Sequence, residues 1–297
     1  MTDLTVLAPP PTLPGRHIPF PLVQPTNPLR LAIKRALGYG LLLLRPAVAR
    51  AMDAGEGPAE IGRVDSMMMA ALMHRAERRG ELEEFIHRQQ RRFWSSAEIA
   101  DFHAAHERYF EDMFLGENIV SLLELEKALA AGGFSSLCEI GCGHGRVVYF
   151  LSRRLAALTR FVGIDLSAEQ VRRNRERYPD AAIDWVSGDA QAWIAANGQS
   201  GCVFLTHNGV FEYFRREDLR SLFRDIATRM KPAIFSISEP LGLEHDLETE
   251  TGSPPYGYER SFSHNYVFLL KEAGFEILHR SEYVSGNHRL LRLIARA

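Results

Sequence analysis

After Gly133 the chain alternates short apolar runs with helix-length stretches, and this rhythm limits the fold more than any other feature. The runs cover residues 136–140, 161–164, 183–186, 202–205, 233–237, 275–279 and 290–295. Brief apolar segments spaced by helical stretches read as strands of a mostly parallel sheet, with crossover helices on both faces. Only residues 280–289 separate the last two runs, and they contain Gly286-Asn287. A Gly/Asn-bearing connection that short predicts a hairpin, so the final strand is expected to run antiparallel.

The first part of the chain has a different texture. Eight of its fifteen prolines lie within residues 1–28, and a residue type that fixes φ and lacks an N–H predicts an extended arm there. Residues 29–131 read as helical. Leu29, Ile33, Ala36 and Leu37 repeat at helical spacing until Gly38 and Gly40 weaken the pattern. Further helices are expected over 59–79, 81–93, 97–114 and 118–130, the third resting only on Ser96 as an N-cap. Met67, Met68 and Met69 are read as core filler, and Arg75, Arg78, Arg79, Arg88, Arg91 and Arg92, interleaved with glutamates, as a solvated face. The expected division is an arm (1–28), a helical cap (29–131) and the sheet-bearing domain (132–297).

Composition narrows the function. The 297 residues are 46% hydrophobic, enough for a sizeable core, and 35 basic against 37 acidic side chains give a net charge of −2. That balance supplies no overall attraction to nucleic acid or anionic membrane. Residues 29–52 are the longest apolar stretch but include Arg30, Lys34, Arg35, Arg45 and Pro46, so no membrane span is expected. Three cysteines, Cys138, Cys142 and Cys202, build no disulfide framework. The expectation is a cytoplasmic protein with no metal, and with the helical cap as candidate homodimer contact.

The chemistry-bearing motif is Glu139-Ile140-Gly141-Cys142-Gly143-His144-Gly145, placed where the first strand should pass into a helix. Its glycines let backbone approach a ligand closely, and the helix N-terminus adds inward N–H groups. The second strand closes on Asp165-Leu166, the third on Asp189-Ala190 and the fourth on His207-Asn208. Ligands of open α/β sheets bind beyond the carboxyl ends of the strands, so these four ends describe one site. Local alternatives exist: Glu139 as a helix-dipole partner, Asp165 and Asp189 as caps.

Glu139-x-Gly141-x-Gly143-x-Gly145 followed by Asp165 resembles the first motifs of the class I S-adenosylmethionine (SAM)-dependent methyltransferases, over roughly residues 115–297. The resemblance implies a Rossmann-like seven-stranded mostly parallel sheet and SAM as cofactor; the first 115 residues lie outside it, and their helices are read as an all-α N-terminal extension laid over the strand ends as a lid. The resemblance makes Glu139, Gly141, Cys142, Gly143 and Gly145 cofactor-binding residues, the backbone around Gly141 and Gly143 holding the methionine part, and puts Asp165 on the ribose with Leu166 against adenine. Asp189 and Ala190 would meet the adenine edge, and Asn208 the approach to the sulfonium. The Asn/Asp-Pro-Pro-Tyr/Phe signature of nucleic-acid and protein amino methylators is absent from Asn208-Gly209-Val210-Phe211, which favours a small-molecule acceptor and no nucleic-acid partner.

On the acceptor side, His207, Glu212 and Glu239 are candidate bases and Tyr213 a candidate wall, with Phe211 and Tyr109 as further aromatic walls. His264 precedes a helix and would support its first turn. His103 and His106 share a helix face without further ligands for a metal. Two alternatives to methyl transfer stay open: attack on the aminocarboxypropyl chain with release of methylthioadenosine, and a non-catalytic SAM-binding module.

Overall fold

The structure, a computed structural model, describes residues 22, 27–57, 61–106, 110–179, 181–257, 260–285 and 288–297. The expected arm therefore lies outside the described residues, except that Leu22 is fully buried in the core of the helical cap. Tyr109 and the Gly286-Asn287 turn also lie outside them.

Five helices build the cap: α1 (Pro28–Leu44), α2 (Pro46–Asp53), α3 (Arg63–Arg79), α4 (Leu82–Trp94) and α5 (Ile99–His106). Asn27 starts α1, its side chain accepting from the N–H groups of Leu29 and Arg30 at 3.0 and 3.1 Å, with Pro28 at the first helical position. The helix runs straight through the glycines that weaken its sequence pattern. Gly38 is buried where α1 crosses α3, and a Cβ there would come within 2.1 Å of the Met67 carbonyl oxygen. Met52, Met68, Met69 and Met73 fill this core; Met67, the third methionine expected there, is only partly buried. Outward, Leu29, Ile33, Leu37 and Leu44 leave an exposed apolar stripe on α1.

The single helix expected over 97–114 divides. After α5 the chain enters a π-helical segment, Phe110–Glu117, whose wider turn stacks Phe110 on Phe114 at 5.4 Å and sets both against Phe150. Ser96 does not open that helix; it is buried, and its carbonyl accepts from the Ser167 hydroxyl at 3.1 Å. Next, α6 (Ile119–Leu129) packs Leu122, Leu125 and Ala128 onto the sheet, although it belongs in sequence to the helical region.

Seven strands form one sheet: β1 (Ser136–Ile140), β2 (Arg160–Asp165), β3 (Ile183–Ser187), β4 (Cys202–His207), β5 (Ala233–Leu241), β8 (Glu276–Ser285) and β9 (His288–Arg296). Their order is β3-β2-β1-β4-β5-β9-β8; the first five are parallel, and β9 pairs antiparallel with both neighbours. All seven expected strands are present, most of them longer than their apolar runs. A small hairpin, β6 (Pro255–Tyr256) with β7 (Ser261–Phe262), was not anticipated.

Alternation along the strands feeds two cores. Cys138, Ile140, Phe204 and Phe235 face α9 (Ala190–Asn197), α10 (Arg216–Arg229) and α11 (Tyr266–Ala273). Leu137, Val203 and Ile234 face α6, α7 (Arg146–Arg154) and α8 (Ala168–Arg177). All three cysteines are buried free thiols, in keeping with a packing role. The order reverses between β1 and β4, and a crevice opens there beyond the strand ends.

Candidate active site

The loop after β1 is shaped by its glycines. Gly141 and Gly143 adopt φ of +67° and +47°, which side chains disfavour. A Cβ at Gly141 would also lie 2.7 Å from Val210, and one at Gly143 would lie 2.9 Å from the His103 ring of α5. Asp165 secures this loop from the next strand. One carboxylate oxygen accepts from the Gly143 N–H and the other from the Ser167 N–H, both at 2.9 Å. Burial pushes the Asp165 carboxyl up to about 6, against the pull of those two N–H groups. Asp165 is not the cap of α8; Ser167 is, accepting from Gln170.

Glu139 is buried and accepts from the Val148 N–H in the first turn of α7 at 2.9 Å, so the helix-partner reading holds for it. Burial pushes its pKa well above the ordinary carboxylate range. Asp189 caps α9 through the Ala192 N–H at 2.8 Å and also pairs with Arg91 of α4. Arg91, read from sequence as part of a solvated face, thus reaches across to the third strand end. Asn174 supports the site unseen in the sequence: its amide donates to the Gly143 carbonyl at 2.7 Å and accepts from Gln170. The i,i+4 pair Gln170/Asn174 on an otherwise charged helix was the available signal.

One cavity of about 1430 Å³ runs along these strand ends, lined by Gly141, Cys142, Gly143, Asp165, Leu166, Asp189, Ala190 and Asn208. Its roof comes from the cap, including Trp94 and His103. The His106 side chain lies outside the described set. Among the described residues no group of three or more His, Cys, Asp or Glu is placed to hold a metal.

The acceptor-side candidates separate sharply. Glu212 is buried and lines the cavity, and its Oε2 accepts from the Tyr256 hydroxyl at 2.6 Å. Tyr213 lines it too, its ring centroid 4.9 Å from that of Trp94. Glu239 does not. It is fully buried below the site, its carboxylate accepting from the N–H groups of Val210 at 2.9 Å and Phe211 at 3.0 Å. It holds the loop after β4 in place of facing an acceptor, and burial pushes it up to about 7. Phe211 is likewise a core residue, not a wall.

His207 lines the cavity but is not a base. The Asn118 amide nitrogen, oriented by its bond to the Met113 carbonyl at 2.9 Å, faces His207 Nδ1 at 3.4 Å. The ring therefore accepts at Nδ1 and carries its proton on Nε2. Burial also lowers its pKa to about 3. His264 ties two loops together, between Ser253 Oγ at 2.7 Å and the Phe214 carbonyl at 3.1 Å; Asn265 caps α11. Tyr256 and His245 also line the cavity, and neither was singled out from sequence because the segment after β5 has no periodic pattern.

This is the crevice of a doubly wound α/β fold carrying a glycine loop and an acidic second-strand end. The family described as "Methyltransferase domain" matches residues 137–233. Two curated relatives named trans-aconitate 2-methyltransferase are similar to parts of the chain. The one from Azoarcus sp. (strain BH72) is 27% identical over 124 residues, covering 40% of this chain and 46% of the relative. The one from Afipia carboxidovorans is 32% identical over 77 residues, covering 26% and 28%. The chain thus spans less than half the length of the curated relatives it matches. A solved SAM-dependent methyltransferase of Leishmania major shares the fold at TM-score 0.53 and 10% identity, over 71% of this chain and 82% of that one.

Residues 137–233 thus match a methyltransferase-domain family, whose cofactor is S-adenosylmethionine. The residues present fit that cofactor. The glycine cradle admits no side chains, and Asp165 and Asp189 line one continuous cavity with it.

Proposed function

We propose that this chain transfers a methyl group from SAM to a small molecule held between the helical cap and the strand ends. The observation that carries this reading is the single cavity joining the glycine loop and Asp165 to Glu212 and Tyr213 beneath a helical roof. Both curated relatives are named for trans-aconitate, a small molecule, which supports the acceptor's size. No helix among the described residues is long and apolar enough to cross a membrane. With three unpaired thiols, a cytoplasmic setting is the natural one.

When bound, SAM supplies an electrophilic methyl group on a sulfonium, ready for in-line displacement. The glycine loop and Asp165 would hold its methionine and ribose, with Leu166, Asp189 and Ala190 about the adenine. The cap excludes water and fixes the approach of the acceptor. Glu212, steadied by Tyr256, takes the proton that the acceptor sheds.

Incubation with SAM and a metabolite extract of the source cells, followed by chromatography of adenosyl products, tests the reading. S-adenosylhomocysteine appearing only with extract is expected; methylthioadenosine in its place would overturn it. Asp165→Ala should weaken SAM binding about tenfold or more by calorimetry. Glu212→Gln should leave SAM affinity nearly intact and lower turnover ~100-fold.

A further inference from the structure

The near-neutral balance of the whole chain conceals a division. Residues 4–52 hold six basic side chains and no acidic one, while residues 53–297 hold 29 basic and 36 acidic. The basic part contains α1 and nearly all of α2, and α1 has a second peculiarity. Its buried strip, Gly38 and Leu42, lies against the core it shares with α3. The two helices run antiparallel, with Tyr39 beside His74 and Arg45 beside Asp65. The opposite side of α1 is apolar as well. Of its eleven exposed positions, Arg30 is the one that carries a charge. Leu29, Ile33, Leu37, Tyr39, Leu43 and Leu44 supply most of that side, the last two 83% and 79% exposed. Ala32, Ala36 and Gly40 fill the gaps between them. The outer side of a surface helix is ordinarily polar, and a contiguous apolar one marks a contact.

We propose that this side of α1 docks in the plane of an anionic lipid membrane, its leucines in the interface and its flanking cations against the headgroup phosphates. Successive helix residues lie about 100° apart, which puts Lys34 and Arg35 on opposite flanks of the buried strip. With Arg30 they border the apolar side, and Arg45 and Arg50 follow beyond its end. Long basic side chains in such places run their stems along apolar surface and carry their charge to the headgroups. The helix has 17 residues and is followed by Arg45-Pro46, so it is too short to span a bilayer and lies along it. Glu77 and Asp65 of α3 already pair with Arg35 at 3.5 Å and Arg45 at 3.3 Å. Arg30, Lys34 and Arg50 form no ion pair among the described residues, which leaves a positive excess for anionic lipid to answer. A second copy of the chain complements this face poorly, because two α1 helices laid together would set one acid-free basic segment against another. The inference draws on no property of the cofactor site, so it holds whichever acceptor is methylated.

Flotation of the full chain with lipid vesicles tests this. Phosphatidylcholine vesicles containing about a third phosphatidylglycerol should carry the protein, with partitioning about tenfold or more above that to pure phosphatidylcholine. Added salt should weaken the binding. Replacing two exposed leucines together, Leu37→Glu and Leu44→Glu, should lower partitioning to the anionic vesicles about tenfold or more. Replacing Arg30→Gln and Lys34→Gln together should lower it too, without changing partitioning to pure phosphatidylcholine. Circular dichroism and thermal melts check that both double variants keep the folded cap. Equal partitioning to the two vesicle types, none to either, or flotation undiminished in the leucine variant overturns the proposal. A dimer by light scattering that the leucine variant converts to monomer assigns the face to a second copy and overturns it as well.

Discussion

Glu239 and Glu212 stand 27 positions apart, and both are carboxylates near the end of a parallel strand, yet only one faces the cavity. What separates them is where the loop after β4 turns: Glu239 lies beneath it and gathers its N–H groups, while Glu212 lies on it. The buried position has a pH signature. The folded Glu239 carboxyl holds its proton up to about 7, while the unfolded chain releases it near the ordinary 4.5. Its contribution to stability is therefore fully present below about pH 4.5 and is lost as pH rises through 7. Asp165, raised to about 6, acts in the same direction. Denaturant unfolding at pH 5 and pH 8 should show stability falling by on the order of 3 kcal/mol through Glu239. Glu239→Gln, which still accepts from Val210 and Phe211, should flatten that slope; an unchanged slope would refute the assignment.

Among the elements, α1 shows how a local rule is overruled by packing. Both Gly38 and Gly40 cost helix propensity, but they differ in surroundings. A Cβ at Gly40 would meet nothing within 4 Å, while one at Gly38 would strike the backbone of α3. Gly40→Ala should therefore stabilise the cap by up to about 1 kcal/mol, and Gly38→Ala should destabilise it despite the better helix former. Thermal melts of the two variants give the comparison directly. The strands behave differently from the cap helices. Their apolar runs are bounded by charged or glycine-bearing turns, so the seven sheet strands were legible, along with the motif at the first strand end. The division of the 97–114 helix was not, because a π turn is selected by Phe110, Phe114 and Phe150 meeting across the chain.

For the whole molecule, the decisive contacts join cap to sheet. Arg91 pairs with Asp189, Asp101 with Arg173 at 2.8 Å, and Glu84 with Arg215, while the Ser167 hydroxyl donates to the Ser96 carbonyl. Each ion pair is partly exposed, hence worth at most about 1 kcal/mol and weakened by salt. Release of S-adenosylhomocysteine, followed by stopped-flow tryptophan fluorescence, should accelerate several-fold between low and high salt. Arg91→Ala should be faster at low salt and less salt-dependent. A rate insensitive to both would mean that the cap does not gate the site.

By itself the sequence determined the sheet, the glycine loop and the acidic strand ends, because these follow from alternation and spacing within a few residues of one another. It also determined that Glu212 and Tyr213 follow the fourth strand. Only the tertiary structure decided that Glu239 and Phe211 are core, that His207 carries its proton on Nε2, and that His245 faces the cavity. Those outcomes depend on distant partners, such as Ser263 for His245, Val210 for Glu239 and Asn118 for His207, which lie 18, 29 and 89 positions away. A side chain's burial and protonation are set by such neighbours, and no local pattern records them.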